Sequence, residues 1–249
     1  MDAPGPAGKP VQGRNAARPV QDARGGRFHF RAGRFPRLRP DVPSAYTRAM
    51  ESLIDFTRVI PANSYRRERW KNQLGWTREI ARSPAATDDW AWRLSIAEIE
   101  EDAAFSRFEG IERELVLLSG NGLRLRFDDG ENIELAPPHG RLRFAGERSA
   151  VGELVDGPTQ DFNLMWRRDA VDAQLWHRPL VGPMVVFVEP GSTWAVHLLA
   201  GQARFADTSG LSPLAQGDTA LLVGHDGARQ RFVLDGGGEV LVIRLTLRA

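Results

Sequence analysis

The sequence predicts an all-β protein, built on a duplicated β unit and preceded by a disordered basic tail. Three observations predict this. First, short runs of alternating apolar and polar residues recur from Ile54 to the C-terminus, punctuated by Gly and Pro, and no segment of comparable length shows a strong helical period. Such a pattern suggests a sandwich, jelly roll or barrel. Second, Leu117-Leu118-Ser119-Gly120 returns as Leu198-Leu199-Ala200-Gly201, and Leu135-Ala136-Pro137 returns as Leu214-Ala215-Gln216, at offsets of 81 and 79 residues. Two copies at nearly constant offset point to a repeated unit. Third, residues 1–43 are rich in Gly, Pro, Ala and Arg without any period. They cannot bury enough apolar surface to offset chain entropy.

The tail is basic. Residues 1–49 hold nine Arg, one Lys and three Asp, a net +7, against −6 for the remainder. It reads as a solvated arm, or as translated sequence upstream of a start at Met50. The alternative is an arm that touches nucleic acid or an anionic membrane. Ser44 to Asp55 is expected to form one short helix with Ser44 as N-cap. Beyond it, Leu123, Leu125 and Phe127 alternate with Arg124 and Arg126, then Asp128-Asp129-Gly130 turns the chain into Ile133 and Leu135, a hairpin signature. Leu142 and Phe144 mark a further strand. Leu241, Ile243, Leu245 and Leu247 line one face of a C-terminal strand, expected to follow a turn at Gly236-Gly237-Gly238.

Composition narrows the chemistry. Of 249 residues, 42% are hydrophobic and 26% charged, as in an ordinary globular protein. No apolar run is long enough for a membrane helix, and the N-terminus lacks the apolar stretch of a secretory signal. Cysteine is absent. This removes disulfides, thiolate metal sites and cysteine nucleophiles, and favours the cytoplasm. No two of His29, His139, His177, His197 and His225 stand at i, i+2 or i, i+4, so no metal site is expected. His197 lies in an apolar run and reads as an ordinary buried His. No nucleophile elbow, phosphate loop or dinucleotide fingerprint appears, so no catalytic residue is assigned.

Three predicted strands each pair an apolar face with a polar one. Thr77 and Glu79 share a face opposite Trp76, Arg78 and Ile80. Arg93, Ser95 and Ala97 oppose Trp92, Leu94 and Ile96. Asp161, Asn163 and Met165 oppose Phe162, Leu164 and Trp166. One reading is a sandwich whose polar faces meet water. The sharper reading is convergence on a shared ligand cavity. On that reading Arg93 contacts a carboxylate, and Asn72, Thr77, Ser95 and Asn163 supply neutral hydrogen bonds. Glu79 orients Arg93 or accepts from a ligand amine or imidazole.

Several blocks jointly resemble the HutD/Ves family: Arg69 to Ala81, Trp92 to Glu98, Phe105 to Arg113, Leu117 to Gly122, and Asp161 to Met165 with Arg167-Arg168. The resemblance covers about residues 55–247. It implies a bicupin, two jelly-roll barrels at 50–170 and 171–249 behind a tail at 1–49, with the ligand pocket in the first. It further implies an accessory or regulatory protein of histidine utilisation that binds a small carboxylate or histidine-pathway metabolite, with no cofactor. Whether it also forms a homodimer stays open. A metal-free isomerase or epimerase is the enzymatic alternative, with Glu79 and a histidine as its acid–base pair. Nucleic-acid binding through the basic arm is the other alternative. The family loop usually carries a glycine run after Trp-Lys-Asn, where this chain has Gln73 and Leu74. Side chains there are expected to reshape the loop or narrow the pocket mouth.

Overall fold

A computed structural model describes residues 56–85, 88–225 and 227–248. The expected tail, the helix at 44–55 and the start at Met50 lie outside the described residues. In chain order the strands are β1 (Arg58–Ile60), β2 (Arg66–Arg69), β3 (Gly75–Ser83), β4 (Trp92–Ile99), β5 (Ala103–Ala104), β6 (Ile111–Ser119), β7 (Leu123–Phe127) and β8 (Asn132–Leu135). They continue as β9 (Arg141–Ala145), β10 (Ala150–Leu154), β11 (Thr159–Arg167), β12 (Val171–Val181), β13 (Met184–Val188), β14 (Ser192–Phe205), β15 (Thr219–Val223) and β16 (Gln230–Leu247). Helical structure among the described residues is confined to two single 3₁₀ turns. No described helix is long and apolar enough to cross a membrane.

Three sheets result, none closed on itself. The central sheet runs β2-β3-β4-β11-β6-β9, the outer sheet β5-β10-β7-β8, and the C-terminal sheet β1-β15-β14-β16-β12, with β13 also on β16. Strand alternation gives the central sheet two unlike faces. Trp92, Leu94, Ile96, Phe162, Leu164 and Trp166 pack against Leu175, Leu241, Ile243 and Leu245 of the C-terminal sheet. On the opposite side Ile99, Leu115 and Leu117 meet Leu123, Leu125, Phe127 and Leu135 of the outer sheet. The C-terminal sheet also buries its second face, with Val196, Leu198, Val240 and Val242 packing on Val186, Val188 and Phe205.

The hairpin at Leu123 to Leu135 forms as expected, with Leu123 opposite Leu135. The repeat has a counterpart in pairing, because Ala203 bridges Leu214 in the second copy. However, the expected turn at Gly236-Gly237-Gly238 does not form. Strand β16 runs straight through it, opposite Gly201, Gln202 and Ala203 of β14. The glycines allow close backbone approach at this crossing. A Cβ on Gly238 would stand 1.9 Å from the Ala200 carbonyl oxygen, and one on Gly201 equally close to that of Gly237. The signal of a turn therefore marks a tight crossing of two long strands.

A buried polar network ties the start of the described chain to the C-terminal sheet. Tyr65 donates its hydroxyl to the Gly217 carbonyl at 2.6 Å and lies 2.7 Å from Thr219 Oγ1. His197 Nδ1 meets Thr219 Oγ1 at 2.9 Å, and its ring lies 5.2 Å from that of Phe162. Thus His197 is the satisfied core histidine that its apolar neighbours predicted. Burial lowers its pKa to about 4, so it is neutral in the fold. Phe162 is fully buried where the two sheets meet. Truncation of Phe162 to Ala is expected to cost about 3–5 kcal/mol in chemical denaturation, as for other buried Phe deletions. A loss below about 1 kcal/mol would show that this contact is not central to the core.

Candidate functional site

The polar face of the central sheet is a grid set by strand register. Arg93, Met165 and Arg113 stand side by side in one row across β4, β11 and β6. Ser95, Asn163 and Leu115 form the next row, and Ala97, Asp161 and Leu117 the third. Strand β3 adds Glu79 to the second row and Thr77 to the third. Rows lie two residues apart, roughly 7 Å, so all these side chains leave the same face.

A cavity of about 540 Å³ opens on this grid, bounded on its other sides by Trp70, Lys71 and Asn72 of the β2–β3 loop and by Phe105, Ser106 and Phe108. That size suits a small metabolite. Of the sequence-predicted residues, Asn72, Thr77, Arg93, Ser95 and Asn163 line it, and Glu79 does not. Glu79 instead accepts from Arg93 Nε at 2.8 Å and so positions that guanidinium. Asn72 Oδ1 accepts from the Leu74 amide at 3.1 Å, a local bond that shapes the loop. Thr77 Oγ1 accepts from the Trp70 indole at 2.9 Å, which leaves the Thr77 proton available for donation. Gln73 and Leu74 do not narrow the cavity, since neither lines it. Gln73 instead takes a φ of 62°, the left-handed backbone that a glycine adopts without strain.

Two residues with the strongest electrostatic signature were not among the sequence candidates. Arg113 is buried on β6 beside the cavity, and no described carboxylate forms an ion pair with it. Its Nη1 donates weakly to the Ser106 carbonyl at 3.4 Å, and its Nε finds no protein partner. Three rings surround the guanidinium, with Phe105 and Phe144 centroids at 5.2 Å and Phe108 at 5.8 Å. Burial, reinforced by Arg93, lowers its pKa to about 10, so it stays cationic at neutral pH. Asp161 is the second such residue. It is fully buried on β11, and its Oδ1 also lacks a partner. Burial raises its pKa to about 7, against a weak opposing bond from Thr159. Asn163 Oδ1 is likewise buried and unpartnered.

The cavity wall thus carries guanidinium donors in one row and unfilled oxygen acceptors in the other two. Buried polar groups are normally satisfied, and each unfilled one here costs stability. Sequence reasoning missed Arg113 because β6 alternates charged residues on both faces. Glu112 and Glu114 oppose Arg113, so the sequence does not say which side is buried. Asp161 was on the polar face but resembled an ordinary surface carboxylate. His139 and His177 approach neither Glu79 nor the cavity. Both meet Glu239, at 3.1 and 2.9 Å.

Fold and site together define a nearly all-β protein of cupin-like build with a polar, arginine-bearing cavity. The HutD family model matches residues 62–242, and the chain belongs to that family. An uncharacterized 21.2 kDa protein in the hutC 3′ region of Pseudomonas putida is 39% identical over 118 residues, 47% of this chain and 62% of that protein. Protein Ves of Escherichia fergusonii is 37% identical over 109 residues, 43% of this chain and 56% of Ves. The matched span therefore covers less than two thirds of these curated relatives. The structure of HutD from Pseudomonas fluorescens SBW25 aligns with a TM-score of 0.67 and 30% identity, over 78% of this chain and all of that one. A bacterial pirin of Escherichia coli, solved with nickel(II), shares the fold alone, at a TM-score of 0.55 and 9% identity over 77% of this chain and 99% of its own.

Two outcomes test the electrostatics. Replacing Arg113 with Met removes a buried, unpaired charge and keeps the packing volume. It is expected to stabilise the ligand-free protein by about 1–3 kcal/mol in denaturant melts, the desolvation relief exceeding the lost ring contacts. A destabilised R113M would mean that Arg113 is structural. Asp161→Asn addresses pH. The Asp161 pKa is raised in the fold, so its contribution is fully present below about pH 4 and is lost as pH rises toward 7. His197 has the opposite sense, its contribution being lost as pH falls from 6.5 toward 4. The two oppose each other in the wild type. The stability advantage of D161N should therefore grow by about 2–4 kcal/mol from pH 4 to 7. A difference independent of pH would reject the raised pKa.

Proposed function

We propose that this protein is a metal-independent small-molecule binder that serves histidine utilisation in an accessory or regulatory role. Its ligand carries a carboxylate, held by Arg113 and Arg93, and an N–H group that donates to Asp161 and Asn163. The observation that carries the reading is Arg113, a cation buried beside a cavity with no counter-ion among the described residues. An anionic ligand would supply that counter-ion in a low-dielectric setting, where a charge-assisted bidentate bond is strongest. The grid then sets ligand length. The arginine row and the Asp161 row are four residues apart along the strands, roughly 14 Å between backbones, a gap that long side chains and a small amino-acid derivative can span together.

The cavity lining offers guanidinium, carboxyl, amide and hydroxyl groups but no imidazole, a donor set that does not fit a histidine-based metal centre. An isomerase or epimerase would need an acid–base pair facing the cavity. Glu79 is engaged by Arg93, and no histidine joins it. The link to histidine utilisation rests on the family name and on the hutC neighbourhood in the name of the Pseudomonas putida relative. We also read residues 50–170 and 171–249 as two cupin modules. The equivalent pairings Leu123 with Leu135 and Ala203 with Leu214 support this.

Calorimetric titration with histidine, urocanate and N-formyl amino acids tests the proposal. At least one should bind at one site per chain. R113M should lose at least about thirtyfold in affinity, the consequence of removing one side of a buried charge contact. If none binds, or if R113M binds as tightly as the wild type, the ligand assignment fails.

A further inference from the structure

A second cluster lies away from the cavity. His177 on β12 and Glu239 on β16 sit diagonally across a strand pair, since His177 opposes Leu241 and Glu239 opposes Pro179. Glu239 is two residues from Leu241, so both side chains leave the face that packs on the central sheet, at the rim of that core. His139 reaches the same point from the β8–β9 connection of the first half, held at a φ of 57°, a left-handed conformation rare for a non-glycine residue. The two imidazole rings meet edge to face with centroids 4.6 Å apart. One carboxylate oxygen, Glu239 Oε2, is shared by His139 Nε2 at 3.1 Å and His177 Nε2 at 2.9 Å.

With a neutral His139 ring the proton positions of this trio do not close, and either a metal ion or a further proton is needed. His139 Nδ1 lies 3.2 Å from the Leu117 carbonyl oxygen. A carbonyl only accepts, so Nδ1 carries the hydrogen and the Nε2 of a neutral ring presents a lone pair. That lone pair points at a carboxylate oxygen, which is also only an acceptor. Moreover, a histidine whose outer nitrogen donates to a backbone carbonyl is oriented as metal-bound histidines are. The three ligand atoms all lie within 4.8 Å of one another. Ligands at roughly 2.0–2.2 Å from a divalent ion are separated by about 2.8–3.6 Å along an octahedral or tetrahedral edge, a range that includes the two nitrogen–oxygen distances here. All three side chains remain partly exposed, so an ion can enter and water can complete its coordination.

We propose that His139, His177 and Glu239 form a binding site for one divalent transition-metal ion of the zinc class, through the two Nε2 atoms and a Glu239 oxygen. Imidazole with a single carboxylate selects such ions over magnesium or calcium. No local motif signals this cluster, because the ligands lie 38 and 62 residues apart. A bound ion would tie the β8–β9 connection to the C-terminal sheet, so occupancy should raise the unfolding temperature.

The test uses the full chain, free of any polyhistidine tag and stripped with chelator. Titration with Zn²⁺, followed by calorimetry and thermal melting, should give one equivalent bound and a raised melting temperature. Co²⁺ should show visible d–d absorption. H177A and E239Q should each weaken Zn²⁺ binding by about 100-fold, while H225A, a control for an exposed loop histidine, leaves it unchanged. Should H177A fold poorly by circular dichroism, E239Q alone decides, because it preserves side-chain volume. Three results would overturn the proposal: no retained equivalent at micromolar Zn²⁺, affinity unchanged in E239Q, or a melting temperature that responds to acid pH but not to metal. The last would identify a protonated His139–Glu239 ion pair instead.

Discussion

The two-residue period of a β-strand, acting on a sheet that must cover both faces, is the constraint on which the rest of the molecule depends. Strands β4 and β11 each place large apolar side chains on one side. Burying that side against the C-terminal sheet commits every intervening residue to the other. Slipping β11 by one position would exchange Phe162 and Leu164 for Asp161 and Asn163 in the core, at prohibitive cost. Hydrophobic packing on one face therefore holds the register of the polar face. The polar grid is a consequence of the core behind it.

That polar face is held in an energetically unfavourable arrangement. A core of apolar residues would be more stable than one holding an unpaired Arg113, an unfilled Asp161 oxygen and an unfilled Asn163 oxygen. Proteins tolerate such groups where function requires them and the surrounding structure over-determines their positions. The rings of Phe105, Phe108 and Phe144 moderate the charge of Arg113 but do not replace a counter-ion. Glu79 shows the contrasting solution, since it pairs with Arg93 and fixes its direction. Of two neighbouring arginines, one is oriented by a carboxylate and the other has no ion-pair partner among the described residues.

The two halves of the chain solve one folding problem differently. In the first half the strand ending at Ser119 turns at Gly120 and begins β7 in another sheet. In the second, β14 passes through Gly201 without ending, and a register shift after Leu198 lets one long strand do the work of two. The glycines of β16 permit the close crossing that follows. The rim where the halves meet carries His139, His177 and Glu239, contributed from both sides.

Much of this was determined by the sequence itself. The β character, the hairpin at Leu123 to Leu135, the apolar and polar faces of β4 and β11, and the family all follow from local alternation and short motifs, which need no knowledge of distant contacts. Thr77, Arg93, Ser95 and Asn163 line the cavity for the same reason, a strand face being a local property, while Asn72 reaches it from the β2–β3 loop. Only the tertiary structure decided which polar groups are desolvated. Arg113, Asp161 and the histidine pair owe their character to neighbours far along the chain, and burial depends on what packs over a residue. The glycine run read as a turn was misjudged on the same grounds, because a residue without a side chain permits a turn and a close crossing alike, and the partner strand makes the choice.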